Sequence, residues 1–127
     1  MDAARLTRIP VFASLEPDAL ARLAAFAGEE SFAVGAALIR EGDFSTELYA
    51  IEEGTADILQ AGKKLGEVGP GDIVGEIGVL AKTLRSADVV VTSPMLAIKV
   101  SHWEIRRLSS DVRERLTELV DARQAAD

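Results

Sequence analysis

The chain has 127 residues, of which 48% are apolar and 28% charged, as expected for one domain with a single hydrophobic core. No apolar run approaches the ~20 residues that a membrane-spanning helix needs, no N-terminal stretch resembles a secretory signal, and the chain contains no cysteine for disulfides or thiolate metal sites. The net charge of −7 argues against binding to the phosphate backbone of nucleic acids, and the cytoplasm is the expected compartment.

The N-terminal segment, residues 1–28, is predicted to be helical. Pro17 suits the first turn of a helix, and Leu20 and Leu23 follow at helical spacing. Gly28 is expected to end the helix, because glycine is favoured just after the last helical residue.

A β-roll is predicted over residues 30–100, where short apolar segments alternate with turn residues such as glycine, proline and aspartate. Many short strands at such intervals are typical of antiparallel, jelly-roll-like folds. The predicted strands are Ala37–Arg40, Leu48–Glu52, Ala56–Leu59, Lys64–Val68, Ile73–Val74, Ala87–Thr92 and Leu96–Val100.

The chain is predicted to return to helix over residues 101–125. Ser101 and Glu104 form a capping box, and Leu116 and Leu119 belong to an apolar stripe of the last helix. The fold class is therefore α+β, a single domain over residues 1–127 in which an antiparallel β-roll is flanked by an N-terminal helix and two C-terminal helices.

One segment, VGEIGVLAKTLRSADV at residues 74–89, carries the strongest functional signal. Gly75 permits close approach of the backbone to a ligand, and the amides that follow it suit an anion. Arg85 offers paired donors to a phosphate, whereas Glu76 accepts hydrogen bonds from a hydroxyl group. An acid and a base at opposite ends of a glycine-containing loop predict a ligand such as a sugar phosphate.

This segment resembles the phosphate-binding cassette of the cyclic nucleotide-binding domain family, the type found in the cAMP receptor protein and in protein kinase regulatory subunits. That cassette reads approximately Gly-Glu-Leu/Ile-Ala/Gly-Leu, a variable stretch, and Arg-Ser/Ala-Ala-Thr-Val, and it corresponds here to residues 75–87. The resemblance extends over essentially the whole chain, through Phe12–Leu15, Gly35–Asp43, Leu48–Gly54 and Gly69–Asp72.

The resemblance implies a role for each matching residue. Glu76 would hold the ribose 2′-hydroxyl and Arg85 the cyclic phosphate, with the amides of Ile77, Gly78 and Ser86 completing the cradle. The positions that would wall the sugar and base are Ile58, Leu65, Val68 and Val74. The implied ligand is a cyclic purine mononucleotide, with cAMP favoured over cGMP, and the C-terminal helices would relay its binding.

Two departures from the family pattern keep an alternative open. Leu84 stands where proline usually precedes the arginine, and Asp88 replaces threonine or serine, so we expect Asp88 to face solvent. The alternative is a nucleotide-free adaptor domain with a degenerate pocket, whose effector protein docks on the last helix. That helix could equally form a homodimer.

Catalysis is not expected. The only histidine is His102, whereas a cupin-type metal site needs several, and no base accompanies Ser86 as a nucleophile. We therefore predict no catalytic residues, metal or cofactor. No basic helix-turn-helix follows the predicted domain, so any DNA-binding output would lie on another chain or in a longer form of this one.

Overall fold

The computed structural model describes residues 1–40, 47–74, 87–101 and residue 114. Within these ranges the chain forms two four-stranded antiparallel sheets, with helices packed against one of them. The predicted antiparallel β-roll is confirmed.

The N-terminal segment forms three short helices, α1 (Ala3–Leu6), α2 (Pro10–Ala13) and α3 (Pro17–Phe26). Both α2 and α3 begin at a proline, which lacks the amide donor that a continuous helix would use. The prolines therefore divide the predicted helical segment into separate turns. None of the helices in the described ranges is long and apolar enough to cross a membrane.

In the described ranges eight strands follow: β1 (Gly28–Phe32), β2 (Ala37–Ile39), β3 (Glu47–Glu53), β4 (Ala56–Gln60), β5 (Lys63–Val68), β6 (Ile73–Val74), β7 (Asp88–Val91) and β8 (Met95–Ser101). The first sheet has the order β1-β8-β3-β6 and the second the order β2-β7-β4-β5. All seven strands predicted from the sequence are present, each within one residue of its expected ends.

Strand β1 was not predicted, and the expected role of Gly28 was wrong. The backbone of Ala27 is already extended (ψ 141°), so α3 has ended before Gly28, which opens the strand. The segment Gly-Glu-Glu-Ser-Phe has no alternating apolar pattern. It becomes a strand because it pairs along its length with β8, from Gly28 opposite Lys99 to Phe32 opposite Met95.

The hydrophobic core consists of two clusters that share the first sheet. One lies between the N-terminal helices and the outer face of that sheet, where Leu48, Ala50, Ile98 and Val100 contact the helices. The other fills the roll between the two sheets and includes Met95. Strand β8 is therefore buried on both faces, which explains why apolar residues occupy consecutive positions along it.

A partly buried ion pair ties α1 to β3. The guanidinium of Arg5 donates to both carboxylate oxygens of Glu52, with an Nε to Oε2 distance of 3.3 Å, and lies 3.6 Å from the Glu29 carboxylate. The Glu52 side chain is only 4% exposed, against 30% for Arg5. The hydrogen bond to Glu52 is the main reason that the pKa of Arg5 is raised.

Substitution Arg5→Ala is expected to lower the free energy of unfolding by about 3 kcal/mol, because it leaves the Glu52 carboxylate buried without its counter-charge. Chemical denaturation measures the change, and the matched control is Arg8→Ala, which removes an exposed arginine from the same segment. Equal stabilities for the two variants would contradict the importance of the pair.

The β4–β5 hairpin closes through Ala61 and Gly62, which both have positive φ values, 51° and 79°. Such a two-residue turn matches the twist of a hairpin but strains a residue that carries a Cβ. We expect Ala61→Gly to raise the free energy of unfolding by about 0.5 kcal/mol, the relief of strain exceeding the entropy that glycine gains when unfolded. The control Ala33→Gly, at an exposed position with negative φ, should give no such gain; a less stable Ala61→Gly protein would refute the prediction.

Candidate functional site

The interior of the roll is lined by apolar side chains from both sheets. The buried members of this interior cluster are Leu38, Ile39, Ile51, Ala56, Val68, Val74, Val89, Val91 and Met95. Phe32, Tyr49 and Ile58 are partly buried against it, and the rings of Phe32 and Tyr49 meet edge to face with their centroids 5.8 Å apart.

A tight turn at Gly69–Asp72 delivers the chain to β6. The Asp72 side chain accepts a hydrogen bond from the Gly69 amide at 2.8 Å, and the Asp72 amide donates to the Gly69 carbonyl at 3.0 Å. Gly71 has φ +92° and donates to the carbonyl of Ile51, whose own amide donates to the carbonyl of Asp72. Because the turn is fastened to β3, it fixes where β6 begins.

The two residues of β6 point into different cores. Ile73, 7% exposed, belongs to the cluster under the N-terminal helices, whereas Val74, 6% exposed, belongs to the interior cluster. Val74 lies opposite Tyr49 on β3. The predicted cassette starts at the next residue, so its first residue is joined directly to a strand buried on both sides.

Strand β7 receives the chain after the cassette. Val89 and Val91 are buried in the interior cluster, whereas Asp88 and Val90 alternate with them and are half-buried on the outer face. Asp88 therefore lies on the face away from the interior, as predicted, although it is not fully exposed. Val74 and Val89, the described residues on either side of the predicted cassette, thus belong to one cluster.

The structure brings three of the predicted wall residues together. Val68 and Val74 are buried in the interior cluster, and Ile58 is partly buried against it. Leu65 is 57% exposed on β5, an edge strand of the second sheet. The predicted residues that lie outside the described ranges are Gly75, Glu76, Ile77, Gly78, Leu84, Arg85 and Ser86. The predicted C-terminal helical region also lies outside them, apart from Glu114, which is helical.

Tyr49 lines the interior but was missed by sequence reasoning. Its signal was present, because Leu48 and Ala50 alternate with Tyr49 and Ile51 in one strand and all four are apolar or aromatic. Such a strand is covered on both faces: Leu48 and Ala50 pack under the helices, and Tyr49 and Ile51 face the roll interior.

A comparison with protein families decides the family. The model of the cyclic nucleotide-binding domain matches residues 29–111, well over half of the chain. The chain belongs to the cyclic nucleotide-binding domain family. The matched range spans the whole predicted cassette and most of the roll.

Individual members of the family agree with this assignment. The cAMP-dependent protein kinase regulatory subunit of Aspergillus niger is 29% identical over 120 residues, which cover 90% of this chain and 28% of that protein. The chain thus spans less than a third of the length of that curated relative. A cyclic nucleotide-binding protein from Geobacter metallireducens, described as putative, shares the fold with a TM-score of 0.92 at 22% identity, covering 99% of this chain and 97% of that one.

A third relative is the regulatory subunit of a cAMP-independent protein kinase A from Trypanosoma brucei. It was solved as a triply substituted variant bound to cAMP in the A site. This structure is 26% identical with a TM-score of 0.81, and the match covers 97% of this chain and 44% of that one. Members of the cyclic nucleotide-binding domain family are regulatory rather than catalytic modules.

Proposed function

We propose that this domain binds a cyclic purine mononucleotide, cAMP in preference to cGMP, as a sensor without catalytic activity. The observation that carries the proposal is that Val74 and Val89, which flank the cassette segment, are buried in one interior cluster. A segment joined at both ends to the apolar interior of the roll can present its polar groups to a ligand that enters the roll. The interior of the roll then receives the ligand's sugar and base.

The cassette residues supply the polar contacts in this proposal. Arg85 pairs its guanidinium with the cyclic phosphate, and the amides of Ile77, Gly78 and Ser86 donate to the remaining phosphate oxygens. Glu76 accepts a hydrogen bond from the ribose 2′-hydroxyl, because a carboxylate repels the phosphate itself. Gly75 allows the backbone to approach the sugar.

Ligand binding would also cover apolar surface at the edge of the second sheet. Leu65 is 57% exposed, which is unusual for a leucine in a strand next to a core. A base placed against Leu65 and Ile58 would remove this side chain from water and add hydrophobic stabilisation. This is the role that we assign to the wall residues Ile58, Leu65, Val68 and Val74.

The C-terminal helices act as the relay in this proposal. Binding of the phosphate draws the rest of the cassette toward Arg85. The helices then close over the base, as a two-state element whose populations the ligand shifts. The last helix also offers an apolar stripe to an effector protein or to a second copy of the chain. We propose the cytoplasm as the site of action.

A second candidate function is an adaptor domain of the same fold that does not respond to cAMP. Leu84 in place of proline favours it, as does the similarity to a kinase regulatory subunit that is described as cAMP-independent. Against it, the cAMP-bound variant of that subunit carries an arginine introduced in place of threonine, and this chain already has Arg85 in its cassette segment. Asp88, on the outer face of β7, also does not oppose a phosphate inside the roll.

Thermal unfolding with added nucleotides separates the two candidates. A ligand that binds only the folded protein raises its stability, by about 4 kcal/mol when present at a thousand times its Kd. At about 1 mM, roughly a thousandfold excess over a micromolar Kd, cAMP should raise the Tm most, cGMP less and AMP least. Unchanged Tm values with all three nucleotides would favour the adaptor.

A further inference from the structure

Gly66 lies on the inner face of the second sheet, where no described residue fills the position of its missing Cβ. It lies opposite Ile58 on β4, and Ile58 in turn lies opposite Val89 on β7, so the three residues share one row. Val89 is buried in the interior cluster and Ile58 packs against it, which places this row inside the roll. Gly66 is the one member of the row without a side chain.

The opposite face of the same strands confirms the direction of this row. Asp57 lies opposite Glu67, one residue further along each strand, and Lys64 contacts both carboxylates, at 3.4 Å and 2.5 Å. Asp57 and Glu67 adjoin the inner pair Ile58 and Gly66, so they lie on the outer face, since side chains alternate along a strand. The register shift beside Gly66 pairs Lys64 with Leu59 and lets it join them there. The inner row of Gly66 therefore has aliphatic neighbours, and the charges of β4 and β5 lie outside.

The space above Gly66 is open in the part of the chain that the structure describes. A Cβ placed on Gly66 would have no atom within 4 Å, and Gly66 is not among the described glycines with positive φ. Neither the backbone conformation nor close packing therefore requires glycine at this position. The strand register shifts beside Gly66, where Ile58 pairs with Gly66 and Leu59 with Lys64. The open space on the inner face at Gly66 is therefore available to a ligand.

The path of the chain relates this space to the cassette. Strand β5 enters the Gly69–Asp72 turn and β6 leaves it, and Val68 and Val74, on the two arms, meet in the interior cluster. Moving away from the turn, one arm reaches Gly66 and the other reaches the first residue of the cassette. The two arms thus border the same end of the roll from opposite sheets.

We propose that Gly66 is the size-limiting position for the base of the bound nucleotide. This inference rests on the proposed function and adds a residue to it. A phosphate belongs with the charged and amide groups of the cassette, whereas a space bordered by Ile58 and Val89 suits a flat apolar ring. Glycine at position 66 lets that ring lie against the strand backbone.

A size series at this position tests the inference. Gly66→Ala and Gly66→Val add one and three carbon atoms where no described atom interferes, so the Tm of the free protein should stay at the parent value. The affinity for cAMP, measured by calorimetry, should fall by about threefold for alanine and about tenfold or more for valine, as expected when methyl groups occupy a ligand's space. Gly28→Val is the matched control, since Gly28 is also a strand glycine with an open Cβ position, on the edge of the other sheet, and its cAMP affinity should not change.

The outcomes separate this inference from the proposed function. If the parent binds cAMP and Arg85→Ala abolishes binding, but both Gly66 variants bind as the parent does, the function stands and the role of Gly66 is wrong. A loss of affinity that appears only together with a loss of Tm, or equally in Gly28→Val, would also overturn it. If the parent itself does not bind cAMP, the proposed function fails first, and this inference fails with it.

Discussion

Substitution Arg85→Ala is expected to weaken cAMP binding at least a hundredfold while the melting temperature of the free protein stays near the parent value. The cyclic phosphate would lose its counter-charge in a site largely removed from water, at a cost of about 3–5 kcal/mol, which corresponds to a few hundredfold or more in Kd. We expect the free protein to keep its stability, because two clusters of buried apolar side chains hold the described part of the roll together.

Isothermal titration with cAMP measures the loss, and two further variants sharpen it. Arg85→Lys keeps the charge but not the paired donors, so it should recover only part of the affinity. Arg8→Ala removes an exposed arginine far from the cassette in sequence and should bind as the parent does. Parent-like affinity in Arg85→Ala would remove the arginine from its assigned role.

Substitution Gly54→Ala is expected to lower the free energy of unfolding by about 3 kcal/mol, the sum of a left-handed backbone strain and a steric overlap. Gly54 has φ +91°, and a Cβ there would overlap the carbonyl oxygen of Pro94 and lie 2.7 Å from Cα of Met95. Both contacts are with backbone, which cannot rotate away. The turn between β3 and β4 is packed directly on the turn between β7 and β8.

Hydrogen bonds hold these two turns in place. The Thr55 amide donates to the Ser93 hydroxyl at 2.9 Å, and the Thr92 amide donates to the Thr55 carbonyl at 2.9 Å. A shift that made room for a Cβ at Gly54 would disturb both bonds. The overlap therefore lowers the free energy of unfolding through weakened hydrogen bonds as well as through backbone strain.

Two other glycines provide the controls for Gly54→Ala. Gly35 has φ +91° but open space around its Cβ position, so Gly35→Ala isolates the backbone strain, about 1–2 kcal/mol. Gly28 has neither feature, and Gly28→Ala should be close to neutral. Chemical denaturation should show the largest loss of stability for Gly54→Ala, a smaller loss for Gly35→Ala and almost none for Gly28→Ala. A Gly54→Ala protein no less stable than Gly35→Ala would show that the overlap is relieved without cost.

The fold was largely predictable because most strands carry their own signal. Strands β3 and β8 are apolar at successive positions, and glycine-containing turns separate the segments between them. Strand β1 lacked such a signal, since Gly-Glu-Glu-Ser is polar and its extended form depends on pairing with β8. Distant pairing of this kind is not encoded in the local sequence.

The candidate site also contains residues that the sequence reveals and residues that only the structure can place. The charges of Glu76 and Arg85 and their spacing were readable from the sequence, and their roles remain predictions because these residues lie outside the described ranges. Gly66 could be placed in the interior only through strand register. A glycine carries no pattern of its own, so Gly66 acquires meaning from the row of side chains in which it lies.

A crystal structure of the domain grown with excess cAMP tests the central proposal most directly. The account predicts one nucleotide in the roll, with the Glu76 carboxylate within hydrogen-bond distance of the ribose 2′-hydroxyl and the Arg85 guanidinium on the cyclic phosphate. An empty roll at saturating cAMP, or a nucleotide bound with these two side chains turned toward separate surfaces, would contradict it.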